Sequence, residues 1–97
     1  MKRLFIFLTL LISVNVFSNL EEPLIIDVRS QAEWNQGHLE RAERINWDEI
    51  SIKISNIALD KNKKIILYCR SGNRAGKAMK VLAEMGYTDI TNAGSLE

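Results

Sequence analysis

Cysteine and proline are scarce in this sequence of 97 residues, which contains one of each. A single cysteine excludes an internal disulfide framework, and one cysteine with one histidine does not make a structural zinc site. An excess of charge of one sign is also missing, because 13 basic residues face 12 acidic ones. This balance gives no electrostatic reason to expect a nucleic-acid partner or an acidic membrane surface. The composition, 46% hydrophobic and 26% charged, is that of one ordinary globular domain.

The longest hydrophobic stretch lies at the N-terminus, where residues 1–18 read MKRLFIFLTLLISVNVFS. Basic residues come first, an apolar segment follows, and a more mixed segment ends the stretch, which is the order of a secretory signal peptide. We therefore predict cleavage before Asn19, a periplasmic location and no stable membrane association after cleavage. An uncleaved anchor is the alternative, although the stretch is short for a membrane span. Residues 19–97 are then predicted to form a single domain.

The first half of that domain is predicted to run strand, helix, strand. Leu24–Val28 is a nearly continuous apolar run, which is typical of a buried parallel strand. Ser30, with Glu33 three residues later, is a capping-box start for a short helix that Gly37 ends. Ala42–Asn46 is predicted to be a second short strand.

The following segment admits two interpretations. Asp48 can cap a helix of about ten residues. The apolar positions on the inner face of that helix would be Ile50, Ile54, Ile57 and Ala58. Ile50, Ile52 and Ile54 also alternate, which is the pattern of a strand. The capping residue and the length favour the helix.

The second half contains the clearest strand, Ile65–Cys69, where β-branched and aromatic residues follow one another. Residues 70–74 break this pattern, and a helix is predicted from about Arg74 until Gly86 ends it. Its apolar positions at helical spacing are Ala75, Ala78, Met79, Leu82 and Met85. Thr88–Asn92 is predicted to be the last strand. Strands separated by helices indicate an α/β fold, with a small parallel sheet flanked by helices on both faces.

Cys69 ends the clearest strand, directly before a glycine-containing turn and the start of a helix. Backbone N–H groups of such a turn converge on one point, and the helix N-terminus adds partial positive charge. Arg70 and Arg74 add full charges. A thiol in this place should have a lowered pKa and react as a thiolate. The alternative is an inert buried cysteine, which would have apolar neighbours instead of this polar and cationic segment.

Three segments resemble the rhodanese family. CRSGNRA at residues 69–75 closely resembles the active loop of that family. IDVRSQAEWNQGHLERAERIN at residues 26–46 resembles its first conserved block, and EMGYTDITNAGS at residues 84–95 resembles its last helix, strand and glycine turn. Together they cover nearly the whole mature chain in the family's order. The small size and the predicted signal peptide bring the sequence close to short periplasmic single-domain members.

The resemblance implies a thiosulfate sulfurtransferase that moves sulfur from thiosulfate to cyanide or a thiol acceptor. Cys69 would be the catalytic residue and would carry the sulfur as a persulfide. The residues implied to bind the substrate are Arg70, Ser71, Gly72, Asn73 and Arg74. Their amides would hold the persulfide, and the two arginines would attract the anionic donor. No cofactor and no metal are implied, and we expect a monomer.

Residues outside the loop receive supporting roles. Asp27 and Arg29 match the family's Asp-x-Arg and are expected to tie the first strand end to the active loop or to Glu33. His38 could be a general base, but a structural role is favoured. The aromatic residues expected in the core or at its rim are Trp34, Trp47 and Tyr68.

Two departures from the family concern the end of the chain. Ser95 stands where a second glycine is common, and the sequence stops at Glu97 where relatives often add a final helix. The resemblance therefore implies either a minimal or a truncated domain with one sheet face exposed and a modest stability.

Three other functions compete with sulfur transfer. A related phosphatase or arsenate reductase needs a loop one residue longer than the four residues between Cys69 and Arg74. A non-catalytic rhodanese-like binding module commonly lacks the cysteine that this chain keeps. A thiol redox partner usually has a second cysteine nearby, and the sequence has none.

Overall fold

Four parallel strands form one sheet. The computed structural model describes residues 22–95, so the predicted signal peptide lies outside the described residues. The strands are β1 (Leu24–Asp27), β2 (Glu43–Arg44), β3 (Ile65–Cys69) and β4 (Ile90–Ser95). They lie side by side in the order β2-β1-β3-β4. The α-helices are α1 (Gln31–Asn35), α2 (Ile50–Lys53) and α3 (Asn73–Glu84), and two 3-10 turns, Trp47–Glu49 and Ile54–Asn56, flank α2. The predicted α/β class and small parallel sheet are confirmed.

The apolar core lies on one face of the sheet. Ile26 of β1 is paired with Leu67 of β3, and because side chains alternate along a strand, both point to the same side as Val28 and Cys69. Helix α3 and the segment around α2 pack over this face and against each other. The buried core residues are Ile26, Val28, Ile45, Ile50, Ile54, Ala58, Ile65, Leu67, Cys69, Ala75, Ala78, Leu82 and Tyr87.

The opposite face is polar at the carboxyl end of the sheet. Asp27 and Tyr68 are register partners there, and both are buried. The guanidinium of Arg29 lies 5.7 Å from the centre of the Tyr68 ring, and the Tyr68 hydroxyl accepts a hydrogen bond of 3.2 Å from the Leu39 amide. Helix α1 belongs to the same connection but contributes no buried residue. Arg29 and Leu39 therefore contact Tyr68 on this face, and α1 adds no buried apolar residue to it.

The helix of about ten residues predicted from Asp48 is confirmed in its extent, residues 47–56, but it is not one continuous α-helix. The chain forms two 3-10 turns around the four residues of α2, and Asn46 takes the capping position without a side-chain hydrogen bond. The strand alternative is wrong. The interruption agrees with a stretch rich in isoleucine, serine and asparagine, which are only moderate helix formers. Of the predicted inner positions, Ile50 and Ile54 are buried, whereas Ile57 is 41% exposed.

The other local signals are placed close to their predicted positions. The Ser30 hydroxyl accepts from the Glu33 amide at 3.3 Å, and the Glu33 carboxylate accepts from the Ser30 amide at 3.2 Å, so the capping box is confirmed. Gly86 follows the end of α3 with a φ of +99°. Strand β2 is shorter than predicted, and β4 begins at Ile90, later than predicted. No helix within residues 22–95 is long and apolar enough to cross a membrane.

Candidate active site

Cys69 stands at the end of β3, where the chain turns through Arg70–Gly72 into α3. Gly72 is the N-cap of α3 and has a φ of +92°, a conformation that other residues rarely adopt. This turn directs the Gly72 N–H at the Cys69 sulfur, with an N–Sγ distance of 2.9 Å. The Ala75 N–H, in the first turn of the helix, donates to the same sulfur at 3.4 Å. The sulfur thereby accepts from a helix N-terminus whose amides have no partner within the helix.

These amides control the ionisation of the thiol. Burial on its own would raise the pKa of Cys69, because it disfavours the charged form. The backbone N–H groups of Ala75, Ser71, Gly72 and Arg74 act in the opposite direction, and together they hold the pKa of Cys69 below its ordinary value. A buried, hydrogen-bonded thiolate is the form that reacts as a nucleophile.

The sulfur and the loop around it differ in exposure. Cys69 has 0% of its surface exposed, whereas Arg70, Ser71 and Asn73 are exposed. The Ser71 hydroxyl accepts from the Asn73 amide at 3.4 Å, which tightens the turn. The five predicted loop residues therefore surround the cysteine as a continuous segment. The backbone N–H groups of Ser71, Gly72 and Arg74 act on the sulfur, and the side chains of Arg70, Ser71 and Asn73 are exposed.

The Arg74 side chain is held by α1. Its two terminal nitrogens donate to both carboxylate oxygens of Glu33, at 2.7 and 2.9 Å. This bidentate contact with Arg74, the largest influence, lowers the pKa of Glu33 to about 2. The charge of Arg74, which is expected to attract a donor, is paired with Glu33 in this structure. Arg70 is the loop arginine whose side chain is exposed.

Asp27 and Arg29 form a buried ion pair beside the loop. The Asp27 carboxylate accepts from the Arg29 backbone amide at 2.9 Å and from its guanidinium at 2.7 Å. The same guanidinium donates to the Gly37 carbonyl at 2.8 Å. Arg29 thus fastens the end of β1 to the segment after α1. The predicted tie to the active loop or to Glu33 is not what these side chains make, because Glu33 is engaged by Arg74.

The one histidine stacks on a tryptophan. The rings of His38 and Trp34 are parallel within 6°, with centroids 3.4 Å apart, and His38 Nδ1 lies 2.8 Å from the Leu39 carbonyl. One ring face and one ring nitrogen of His38 therefore have structural neighbours, which agrees with the favoured structural role. Among residues 22–95, no group of three or more His, Cys, Asp or Glu side chains is placed to hold a metal.

Two contacts at the site were not anticipated from the sequence. One is the Glu33–Arg74 pair, for which the only local signal was the capping box that uses the same carboxylate. The other is Asn92 of β4, whose side-chain amide donates to the Gly72 carbonyl at 3.0 Å. Asn92 lies in a segment that resembles the family, but the resemblance implies no role for this residue. Both contacts join residues far apart in the chain, so no periodicity could reveal them.

Comparison with known proteins settles the family. The sequence pattern of the family described as "Rhodanese-like domain" matches residues 15–95. This chain belongs to that family. The match begins at residue 15, slightly before the cleavage position predicted at Asn19.

Relatives of this rhodanese-like domain include a small enzyme and a longer protein. Thiosulfate sulfurtransferase PspE of Escherichia coli (strain K12) is 39% identical over 72 residues, which are 74% of this chain and 69% of that protein. A tRNA uridine(34) hydroxylase of Erwinia tasmaniensis is 30% identical over 81 residues, which are 79% of this chain but 23% of that protein. Similar domains thus occur alone and as parts of larger chains.

A solved structure supports the fold of the rhodanese-like domain. The structure described as "rhodanese with anions from E. coli" superposes with a TM-score of 0.74 and 37% identity, covering 77% of this chain and 88% of that one. The resemblance stated from the sequence is therefore confirmed at the level of the family and of the fold.

Proposed function

We propose that this rhodanese-like domain is a thiosulfate sulfurtransferase that carries sulfur as a persulfide on Cys69. The proposal rests on one observation: the Cys69 sulfur accepts hydrogen bonds from the N–H groups of Gly72 and Ala75 at the N-terminus of α3. This arrangement stabilises a negative charge on sulfur without a metal or a second thiol. The identity to a thiosulfate sulfurtransferase supports the same reaction.

The first step would load the sulfur. The Cys69 thiolate attacks the outer sulfur of thiosulfate, a new S–S bond forms, and the bond between the outer and the central sulfur breaks. Sulfite leaves with the electron pair, and a persulfide anion remains on Cys69. The negative charge moves outward by one sulfur atom, so the amides that lower the pKa of Cys69 are also near the charge of the intermediate.

The second step would unload it. Cyanide or a thiolate attacks the outer sulfur of the persulfide, the S–S bond breaks, and the Cys69 thiolate is regenerated with thiocyanate or a new persulfide as product. Donor and acceptor react in turn at one atom, which predicts ping-pong kinetics.

Donor binding is assigned to the loop. Arg70 has an exposed side chain next to the nucleophile and is the candidate for attracting dianionic thiosulfate from solution. Arg74 would contribute its backbone N–H, while its side chain stays with Glu33. The solved E. coli rhodanese is described with anions, which agrees with an anionic donor.

The alternatives find less support. The short loop keeps four residues between Cys69 and Arg74, and the Arg74 side chain is turned to Glu33, so its fork is not free to bind a phosphate. A non-catalytic binding module would have no need of a thiol with a lowered pKa. The signal peptide, the periplasmic location and the monomeric state remain predictions from the sequence.

The test is to incubate the purified protein with thiosulfate and record its intact mass, with Cys69→Ser as the control. We expect the native chain alone to gain the mass of one sulfur atom and to lose it when cyanide is added. A folded native chain that gains no sulfur would refute thiosulfate as the donor. Release of phosphate from an aryl phosphate by the same sample would favour the phosphatase alternative.

A further inference from the structure

The pairing of β3 with β4 contains an irregularity beside the active loop. Leu67 is opposite Asn92, and Cys69 is opposite Ser95, so β4 contains one residue more than β3 over this interval. An extra residue on one strand is a β-bulge, which bends the strand and redirects a side chain. The bulge lies at the point where β3 ends in Cys69.

The Asn92 side chain makes two hydrogen bonds across this bulge. Its oxygen accepts from the Gly94 amide at 2.9 Å, and its nitrogen donates to the Gly72 carbonyl at 3.0 Å. An amide N–H can only donate and a carbonyl can only accept, so both partners require the same orientation of the Asn92 amide. The first bond holds the bulge, and the second joins the bulge to the active loop.

Gly72 is the residue of the loop that most needs an external constraint. Glycine adopts positive and negative φ with similar ease, so its own backbone does not fix the direction of its N–H. Its carbonyl accepts the first bond of α3 from the Gly76 amide at 2.9 Å, and Asn92 provides the second bond to the same oxygen. The place of a Cβ on Gly72 is 3.2 Å from the Gly94 Cα, so β4 also lies directly against the loop.

We propose that Asn92 is a positioning residue that holds Gly72 from its carbonyl side, so that the Gly72 N–H stays directed at the Cys69 sulfur. Asn92 does not touch the sulfur and acts through Gly72. The benefit of this positioning for sulfur transfer rests on the proposed function. The effect on the thiolate itself is expected whichever substrate the protein uses.

The test compares Asn92→Ala and Asn92→Asp with the native chain by following the thiolate absorbance of Cys69 near 240 nm against pH. Cys69 is the only cysteine of the sequence, and subtracting the titration of Cys69→Ser removes the tyrosine signal. We expect Asn92→Ala to move the midpoint to higher pH, by an amount equal to a roughly threefold to tenfold weaker ionisation, the range for one lost hydrogen bond. Loading with thiosulfate at neutral pH should slow by a similar factor.

Asn92→Asp separates the two bonds. Aspartate can still accept from the Gly94 amide, but it cannot donate to the Gly72 carbonyl. The negative charge of the aspartate would by itself also raise the midpoint of the Cys69 titration. Salt at about 1 M screens this electrostatic effect beyond a few ångströms, so the titration is repeated at that concentration. A shift that persists at high salt supports the proposal, and a midpoint that returns to the native value overturns it. If Asn92→Ala fails to fold, Asn92→Asp decides the question in this way.

The matched control is Asn62→Ala. Asn62 accepts from the Thr88 hydroxyl at 2.8 Å and also joins two distant segments, but it lies at the amino end of the sheet. We expect no shift of the Cys69 midpoint in this variant. A native midpoint in Asn92→Ala, or an equal shift in both alanine variants, would overturn the positioning role. A native chain that takes no sulfur from thiosulfate while Asn92→Ala still shifts the midpoint would refute the proposed donor and leave the positioning role standing.

Discussion

Two features of the structure require a glycine at position 72, its backbone conformation and a close contact with β4. Its φ of +92° is strained for any residue with a side chain, and its missing Cβ leaves room for the backbone of Gly94 at 3.2 Å. Gly86 has a similar φ of +99°, but no atom lies within 4 Å of the place of its Cβ. The two glycines therefore share the conformational requirement and differ in the contact.

Replacing each with alanine separates these effects. Gly86→Ala should lower the free energy of unfolding by about 1–2 kcal/mol through backbone strain alone, and it should leave sulfur loading unchanged. Gly72→Ala should lower the free energy of unfolding by roughly a further 1 kcal/mol or more, because the Gly94 backbone must shift. This variant should also take up sulfur from thiosulfate more slowly. Denaturant unfolding and intact-mass loading measure the two quantities. Equal results for the two variants would contradict the importance of the contact with Gly94.

At the scale of elements, α1 is joined to the start of α3 by one carboxylate. Glu33 closes the capping box of α1 and binds Arg74 through both of its oxygens. The two side chains are about a quarter exposed, at 25% and 28%, so solvent screens the pair only in part. A short helix with no buried residue is thus fixed to the active loop by polar contacts.

This pair predicts an acid-sensitive part of the stability. The pKa of Glu33 is lowered from 4.5 to about 2 in the folded protein, first of all by Arg74. The stabilisation is therefore complete above about pH 4.5 and is lost as the pH falls towards 2. Glu33→Gln, which keeps a capping side chain, should lose about 1 kcal/mol at neutral pH and should show a weaker fall in stability between these pH values.

The control is Glu49→Gln, which removes the exposed ion pair with Lys53 at 3.2 Å. Its side chains are 43% and 48% exposed, so we expect a loss below about 0.5 kcal/mol. Denaturant unfolding at a series of pH values gives both curves. If Glu33→Gln kept the pH dependence of the native chain, the pair would not be its source.

At the scale of the whole molecule, one apolar layer holds the described residues together. The core lies between α3, the segment around α2 and one face of the sheet, whereas the other face is occupied by Asp27, Tyr68 and Arg29 at its carboxyl end. A small domain buries a smaller fraction of the surface of its unfolded chain than a large domain does, so we expect a stability in the lower part of the usual range. Single core positions should therefore have large effects.

Leu82 provides the test of this single layer. Its side chain on α3 is 0% exposed, and Leu82→Ala should destabilise the protein by about 2–5 kcal/mol through lost burial and the cavity that remains. Met79 on the same helix is 38% exposed, so Met79→Ala should have a much smaller effect. Thermal and denaturant unfolding distinguish the two variants. A stability loss in Leu82→Ala no larger than in Met79→Ala would contradict a core built on that helix face.

The sequence predicted those parts of the fold that depend on neighbouring residues. The apolar run Ile65–Cys69, the helix after it and the capping box at Ser30 are local signals, and the structure confirms each. The segment after Asn46 is helical over the predicted length but changes between 3-10 and α geometry, because an inner face of isoleucines does not ensure a regular helix when backbone propensity is moderate.

In the candidate site, too, the features formed by neighbouring residues could be predicted, and those formed by distant residues could not. Cys69 and its loop could be found because strand, turn and helix start are consecutive in the chain. The side chain of Arg74 and the role of Asn92 could not, since their partners are 41 and 20 residues away. The first depends on where α1 docks, and the second depends on a bulge that displaces the register of β4 by one residue. Neither is encoded in a periodic pattern.

The hydrogen bonds to Cys69 make the folded protein sensitive to what its sulfur carries. Groups that prefer the anion lower the pKa of Cys69, so by thermodynamic linkage the anion in turn strengthens the native state. This contribution is full above the ordinary thiol pKa and disappears as the pH falls through the lowered one. An anionic persulfide would retain this contribution to stability at neutral pH, whereas a neutral, capped sulfur would lack it. Anionic and capped forms of Cys69 would then differ in conformational stability as well as in mass, so the group bound to the sulfur would influence the stability of the whole fold.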